Sequence, residues 1–318
     1  MALSTPARTA TTITPEVVRA RLQGRRVDVG GRIFRGALLC ALLFSLGILA
    51  ILIFNIASDG IGVLTSRTST FVNGTLRSLP SQAGVAQGLR GTFWIGVFVV
   101  LFGFPLGIAA AIYLEEYAPS SRFTRFVDIN IRNLAGVPSI VYGILGFAIL
   151  VDTLGGVTGG RSVVSGGLTL AVLVLPIVII TSAEAIRAVP SGLREAAYGV
   201  GATRWEVVRH HVLPYAAPGI LTGTVLSLAR ALGEAAPLIL IGAVTDRLGS
   251  NPSVIDVGSL TDRFTAMPNV ITTWAGQAQS GFRANTAAAI IVLMLIVLVA
   301  NTAAILLRNH YESKRLGH

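Results

Sequence analysis

REAAYGVGATRWEVVRHHVLP, residues 194–214, is a polar, helix-favouring stretch set between two strongly apolar ones. A soluble element inside a membrane chain needs a partner outside the bilayer, so the flanking sequence decides the class. Of 318 residues, 53% are hydrophobic and 13% charged, and mean hydropathy is +0.72. Crossing the hydrocarbon core takes about 20 apolar residues per helix. Six segments meet that length, at about 36–57, 92–114, 133–151, 165–183, 217–244 and 285–307. The expected fold class is an all-α integral membrane protein. A six-span bundle over 36–307 follows a disordered 1–35 tail and precedes a short 308–318 tail.

The net charge of +10 would suit nucleic acid, but the basic residues alternate with the spans. The 1–35 tail holds 7 Lys or Arg, the 115–132 loop 3, the 184–214 loop 4 and the C-terminal tail 3. The loops on the other side, 58–91, 152–164 and 245–284, hold 3, 1 and 3. The positive-inside bias then places both termini in the cytoplasm. Basicity reads as topology, with no nucleic-acid partner expected. No Ala-x-Ala site follows the first apolar run, which predicts a retained anchor. The single Cys40 falls in the first span as a packing residue, without redox or metal chemistry.

Several activities are excluded. The only lysine is Lys314, without a Gly-rich loop before it, so the chain has no Walker A phosphate cradle. His210, His211, His310 and His318 form no metal-binding helix pattern, and no Gly-x-Ser-x-Gly elbow appears. No catalytic residue, cofactor or metal is expected. Gly103 with Gly107 and Gly219 with Gly223 are small residues four apart, which predicts close helix packing. Pro105, Pro138, Pro176 and Pro237 each interrupt an expected span.

Within 194–214, Leu193, Ala196, Ala197 and Val200 recur at helical spacing, and Gly199 and Gly201 permit a sharp turn. Thr203 with Glu206 predicts a capping box for a second helix. Trp205, Val208 and Val212 give that helix an apolar stripe, and Pro214 is expected to stop it. Two short amphipathic helices suit either a protein groove or a lipid surface. Resemblance favours the groove. Glu195-Ala196-Ala197, Gly201 and His211-Val212-Leu213-Pro214 stand at the spacing of the EAA loop of ABC importer permeases. This resemblance implies a type I importer permease whose loop docks on an ATPase subunit, with Glu195, Ala196, Ala197, Gly201, Trp205, Leu213 and Pro214 as coupling residues. His211 departs from the apolar residue usual there.

The fifth span carries SLARALGEAAPLILIG, in which Arg230 and Glu234 are expected four apart on one helical face. Ionisable groups inside a span cost about 2.5 to 3.5 kcal/mol each on insertion scales. They could be a mutually neutralising pair that locks helices together. Alternatively, the guanidinium fork suits an oxyanion and the carboxylate accepts a hydrogen bond from the protonated oxygen of hydrogen phosphate, a donor that sulfate lacks. Gly233 and Pro237 predict an irregular helix beside the charges. Arg230-Ala231-Leu232-Gly233-Glu234-Ala235-Ala236-Pro237-Leu238 resembles the fifth-helix signature of phosphate ABC permeases of the Pst type. The Ala-Pro-Leu ending, Phe264-Thr265-Ala266-Met267-Pro268 and Trp274-Ala275 are more similar to the A-subunit branch than to the C-subunit branch.

That resemblance covers about 92–312. It implies inorganic phosphate as substrate, with Arg230, Glu234, Gly233 and Pro237 on the pathway. It also implies a second permease subunit of the PstC type, a homodimeric ATPase of the PstB type that binds ATP and Mg, and an extracytoplasmic phosphate-binding protein of the PstS type. Another oxyanion, the sister subunit and an ion-coupled secondary transporter stay open. Glu184 and Arg187 read as interfacial anchors, Glu115 and Glu116 as a solvated edge, and Arg161 as a solvated loop residue. Phe123 and Phe126 suggest an elbow helix on the membrane surface. The Ser/Thr-rich 58–89 loop has no assigned role beyond a contact with the binding protein.

Overall fold

A computed structural model describes residues 29–243 and 256–316, and at 307 and 310–316 the backbone alone. Of the expected 1–35 tail, residues 29–35 are helical and begin the first span, and residues 1–28 lie outside the described residues, as do the loop stretch 244–255, His318 and the side chains of His310 and Lys314. Five helices are long and apolar enough to cross a membrane, and a bent helix pair makes a sixth. They are α1 (Val29–Asn73), α2 (Ala86–Tyr117), the pair α3 (Arg122–Ala135) and α4 (Ser139–Thr153), α5 (Val163–Arg187), α7 (Arg204–Gly233) and α10 (Gly281–Leu316). Between them lie α6 (Ser191–Gly199), α8 (Ala236–Ile241) and α9 (Met267–Ala275).

The chain divides into two compact units at Phe54 and Asn55. In the first, α1 is apolar on every side and its large side chains, Phe34, Leu38 and Phe44 among them, are exposed. A helix of that kind is a membrane span.

In the second unit, α5 is the most buried span, and its neighbours approach it through glycine. A Cβ on Gly107 of α2 would lie 2.6 Å from Val178 Cγ1, and one on Gly219 of α7 would lie 2.7 Å from Ala185 Cβ. Gly103 and Gly223 likewise face Val174 and Thr181. The expected close packing is present, because hydrogen in place of a side chain lets backbones approach where lipid gives no hydrophobic drive.

The prolines at 138 and 237 stand at breaks in their spans as expected, and Pro176 does not. Pro176 lies inside an unbroken α5, while Pro138 precedes α4 and Pro237 sits in the first turn of α8, where a missing N–H costs nothing. Gly136 to Pro138 turn the chain by 101° between α3 and α4, so the expected 133–151 span begins only at Ser139. Proline disfavours the helical conformation in the residue before it, which breaks the run at Val137. Pro214 does not stop its helix. The turn Val208–Val212 widens by one residue and the helix continues to Gly233. A widened turn accommodates the proline ring that a regular ladder would exclude.

The 58–89 stretch is not a loop throughout. Helix α1 continues to Asn73, kinked at Arg67 (φ −147°, ψ 38°). Its hydroxyls bond back into the helix, Thr65 to the Ile61 carbonyl at 3.0 Å and Ser66 to that of Gly62 at 2.7 Å. Arg67 donates to the carbonyls of Pro80 (2.7 Å), Ser81 (2.8 Å) and Ala83 (3.1 Å). Phe71, Leu76 and Val85 then pack on Met267, Val270 and Trp274 of α9, forming a second core at that end.

Candidate functional site

Helix α7 ends at Gly233, and Glu234 leaves it in extended backbone (φ −85°, ψ 119°). Without an N–H on Pro237, the carbonyl of residue 233 has no ladder partner. The irregularity expected beside the charges is present. The shared helical face expected for Arg230 and Glu234 is not, because the extended Glu234 turns its side chain off the helix. Arg230 is exposed in the last turn of α7, Glu234 is half-buried, and no ion pair joins them among the described residues.

Pro237 is buried against α4, where a Cβ on Gly143 would lie 2.7 Å from the Pro237 Cα. It supports the break and does not line it. Gly233 is exposed, with open space where a side chain would stand. Nearby on α4, the Tyr142 hydroxyl donates to the Leu134 carbonyl at 2.9 Å. A cation in the last turn also faces the free carbonyls of a helix end. Open backbone at membrane depth is tolerated only against protein or a wet cavity, and an exposed guanidinium shuns acyl chains. The exposed side of this break is therefore a face for protein or for an aqueous path.

The 194–214 segment folds largely as its pattern predicts. Gly201 takes φ +87°, a left-handed turn that favours glycine, and Thr203 begins α7 with a complete capping box. The Thr203 N–H donates to Glu206 Oε2 at 2.8 Å, and the Glu206 N–H to Thr203 Oγ1 at 3.4 Å. The apolar stripes differ from expectation. Ala197, Val207, Val208 and Val212 are buried, and Ala197, Val207 and Val212 pack with Ala111, Ile179, Ala183 and Ile186 at the ends of α2 and α5. Ala196 and Glu195 are exposed, as are Pro214 and His211, while Leu193 and Leu213 are half-buried. Trp205 leaves the expected stripe and is 56% exposed, with Val200 at 86% and Tyr198 also outward. One face of the segment is thus clamped to the bundle and the other presents large apolar groups.

Three arginines hold that clamp, each on one residue of the Glu115-Glu116-Tyr117 turn that ends α2. Arg187 at the end of α5 pairs with Glu115, its Nε 3.3 Å from Oε2. Arg194 of α6 pairs with Glu116 at 2.8 Å and also donates to the carbonyls of Val189 (2.7 Å) and Ile186 (2.9 Å). Arg204 of α7 stands over the Tyr117 ring, 5.2 Å from its centre. Glu115 and Glu116 are therefore not a solvated edge: the Glu116 side chain is 6% exposed. Arg161 packs as well, against Gly242 and over the Phe147 ring.

Residues 103–316 match the family model described as binding-protein-dependent transport system inner membrane component. The chain belongs to this permease family. It is 34% identical over 241 residues to the probable ABC transporter permease protein YqgH of Bacillus subtilis, covering 72% of this chain and 76% of that one. It is 40% identical over 167 residues to the phosphate transport system permease protein PstA 1 of Mycobacterium tuberculosis, covering 52% and 54%. Among solved structures it resembles a chain of a bacterial alginate ABC transporter in complex with its periplasmic protein. That likeness has TM-score 0.61 at 15% identity, over 91% of this chain and 94% of that one. The fold of this multi-pass permease is that of ABC importer membrane subunits.

The matched stretch contains both sites, the break at Gly233 and the 194–214 segment. Sequence reasoning about this permease missed Glu116, Tyr117 and the anchoring role of Arg194. Their one signal was a pair of acids at the end of an apolar span in a chain whose next loops are basic.

Proposed function

We propose that this permease is a membrane subunit of an ATP-driven importer of inorganic phosphate. Arg230 and Glu234 meet the ion at the break in the fifth span, and the outer face of 194–214 docks on a separate ATPase. The observation that carries this reading is the exposed Arg230 beside the open backbone at Gly233 and Glu234. A guanidinium fork beside unpaired backbone suits an oxyanion. The likeness to a phosphate permease supports the ion chosen.

With no Walker A lysine, this chain leaves ATP and Mg to its partner, taken to be an ATPase homodimer. A second permease subunit completes the path and an extracytoplasmic binding protein delivers phosphate. The charge bias across the spans supports a cytoplasmic position for both termini and for the docking segment.

Uptake by vesicles holding the assembled transporter should require ATP and resist excess sulfate. Glu234→Gln, which can donate to sulfate, should raise sulfate competition about tenfold, or ~1.4 kcal/mol. Uptake driven by an ion gradient without ATP would overturn the reading, and equal competition by sulfate in the unaltered protein would overturn phosphate as the ion. Gly201→Val places a branched side chain at φ +87°, a strain of about 1 to 3 kcal/mol. Uptake should fall several-fold while ATP hydrolysis continues; unchanged uptake would remove the turn from the coupling path.

A further inference from the structure

Beside the end of α2, a cavity of about 500 Å³ is lined by Glu115, Arg122, Thr124, Arg125, Asp128 and Arg187 among others. Both carboxylates are already matched, Glu115 by Arg187 and Asp128 by Arg132 at 3.1 Å. Arg122 and Arg125 have no ion-pair partner among the described residues. They stand three apart on α3, so their guanidinium groups share one face.

The residues next to them are apolar and exposed, Phe123 at 74% and Phe126 at 63%. Helix α3 meets α4 at 101°, so where α4 crosses the bilayer α3 runs close to the membrane plane. Phenylalanine beside arginine on such a helix fits the boundary between acyl chains and headgroups. A free phosphate ion would use the two guanidinium groups and leave the phenyl rings bare. A phospholipid would use both, its phosphate in the arginine fork and its chains over Phe123 and Phe126.

We propose that this cavity is a headgroup site for an anionic phospholipid. It involves none of the residues assigned to the transported ion and stands whatever that ion is. Anionic lipid held here would rest against the Arg187–Glu115 pair, at the point where α5 leads into the 194–214 segment.

The test is native mass spectrometry of the full-length chain from nanodiscs of equal phosphatidylglycerol and phosphatidylcholine, in phosphate-free buffer. Retention of phosphatidylglycerol over phosphatidylcholine should be at least about 25-fold. Arg122→Gln or Arg125→Gln should each lower it about fivefold, and the double variant should abolish it, at ~1 kcal/mol for each basic residue at a membrane surface. Arg209→Gln removes an exposed charge outside the cavity and should leave retention unchanged. An equal loss in Arg209→Gln would mean diffuse surface attraction and overturn the site. Displacement of the lipid by millimolar inorganic phosphate, or by glycerophosphate without acyl chains, would assign the arginines to a free anion and overturn it too.

Discussion

Arg230→Ala is expected to lower phosphate uptake by at least about 100-fold while the transporter still assembles. The figure corresponds to ~2.7 kcal/mol, within the range of one hydrogen bond to a charged group. The guanidinium is exposed at the end of α7, where Glu234 has turned away and offers no ion pair. No ion pair in the described part of this chain neutralises it, and in the proposed function an anion in transit supplies the missing charge. Arg230→Lys keeps the charge but loses the planar fork, so its uptake should lie between the two. Uptake and co-purification of the partner subunits separate the outcomes. Normal uptake makes the residue a bystander, and loss of assembly makes it a subunit contact.

Arg194→Ala should be the second severe variant, with uptake reduced at least tenfold and ATP hydrolysis persisting without it. Its guanidinium holds three groups at once: Glu116 on α2, the carbonyl of Ile186 in α5 and that of Val189 just after it. Breaking a buried ion pair leaves the remaining charge unmatched, and here the cost is about 2 to 4 kcal/mol, since the Arg194 side chain is 22% exposed and water screens part of it. The neighbouring straps are weaker. Arg187 is 55% exposed, and an exposed pair contributes about 0.2 to 1 kcal/mol. Arg187→Ala should thus leave coupling nearly intact. If the segment docks as proposed, passing a partner's motion to the membrane helices needs a stiff joint, and Arg194 is the residue best placed to supply it. If Arg194→Ala transports as well as Arg187→Ala, the joint lies elsewhere, with the apolar contacts of Val207 and Val212 as its remaining support.

The spans were legible because each is a run of local hydrophobicity, and their glycines were legible because a missing side chain has the same meaning in every helix contact. The Thr203–Glu206 cap and the turn at Gly201 were legible because both are closed within a few residues. Errors came where composition was read as conformation. The Ser/Thr-rich stretch after residue 58 continues as helix because its hydroxyls bond to the preceding turn. Pro214 passes through a helix because one widened turn accommodates it.

By itself, the sequence determined the class of this protein, its six apolar segments, the polar segment between the fourth and fifth, and the charges placed inside the fifth. Those features rest on period, propensity and transfer energy, which act over a few residues. Only the tertiary structure decided that Glu234 leaves the helix that Arg230 ends, that Trp205 faces outward, and that Glu116 is buried beneath Arg194. Helical period alone placed Glu234 beside Arg230, and packing at the break moved it. Glu116 and Arg194 are 78 residues apart, and their pairing follows from which helix ends meet around α5.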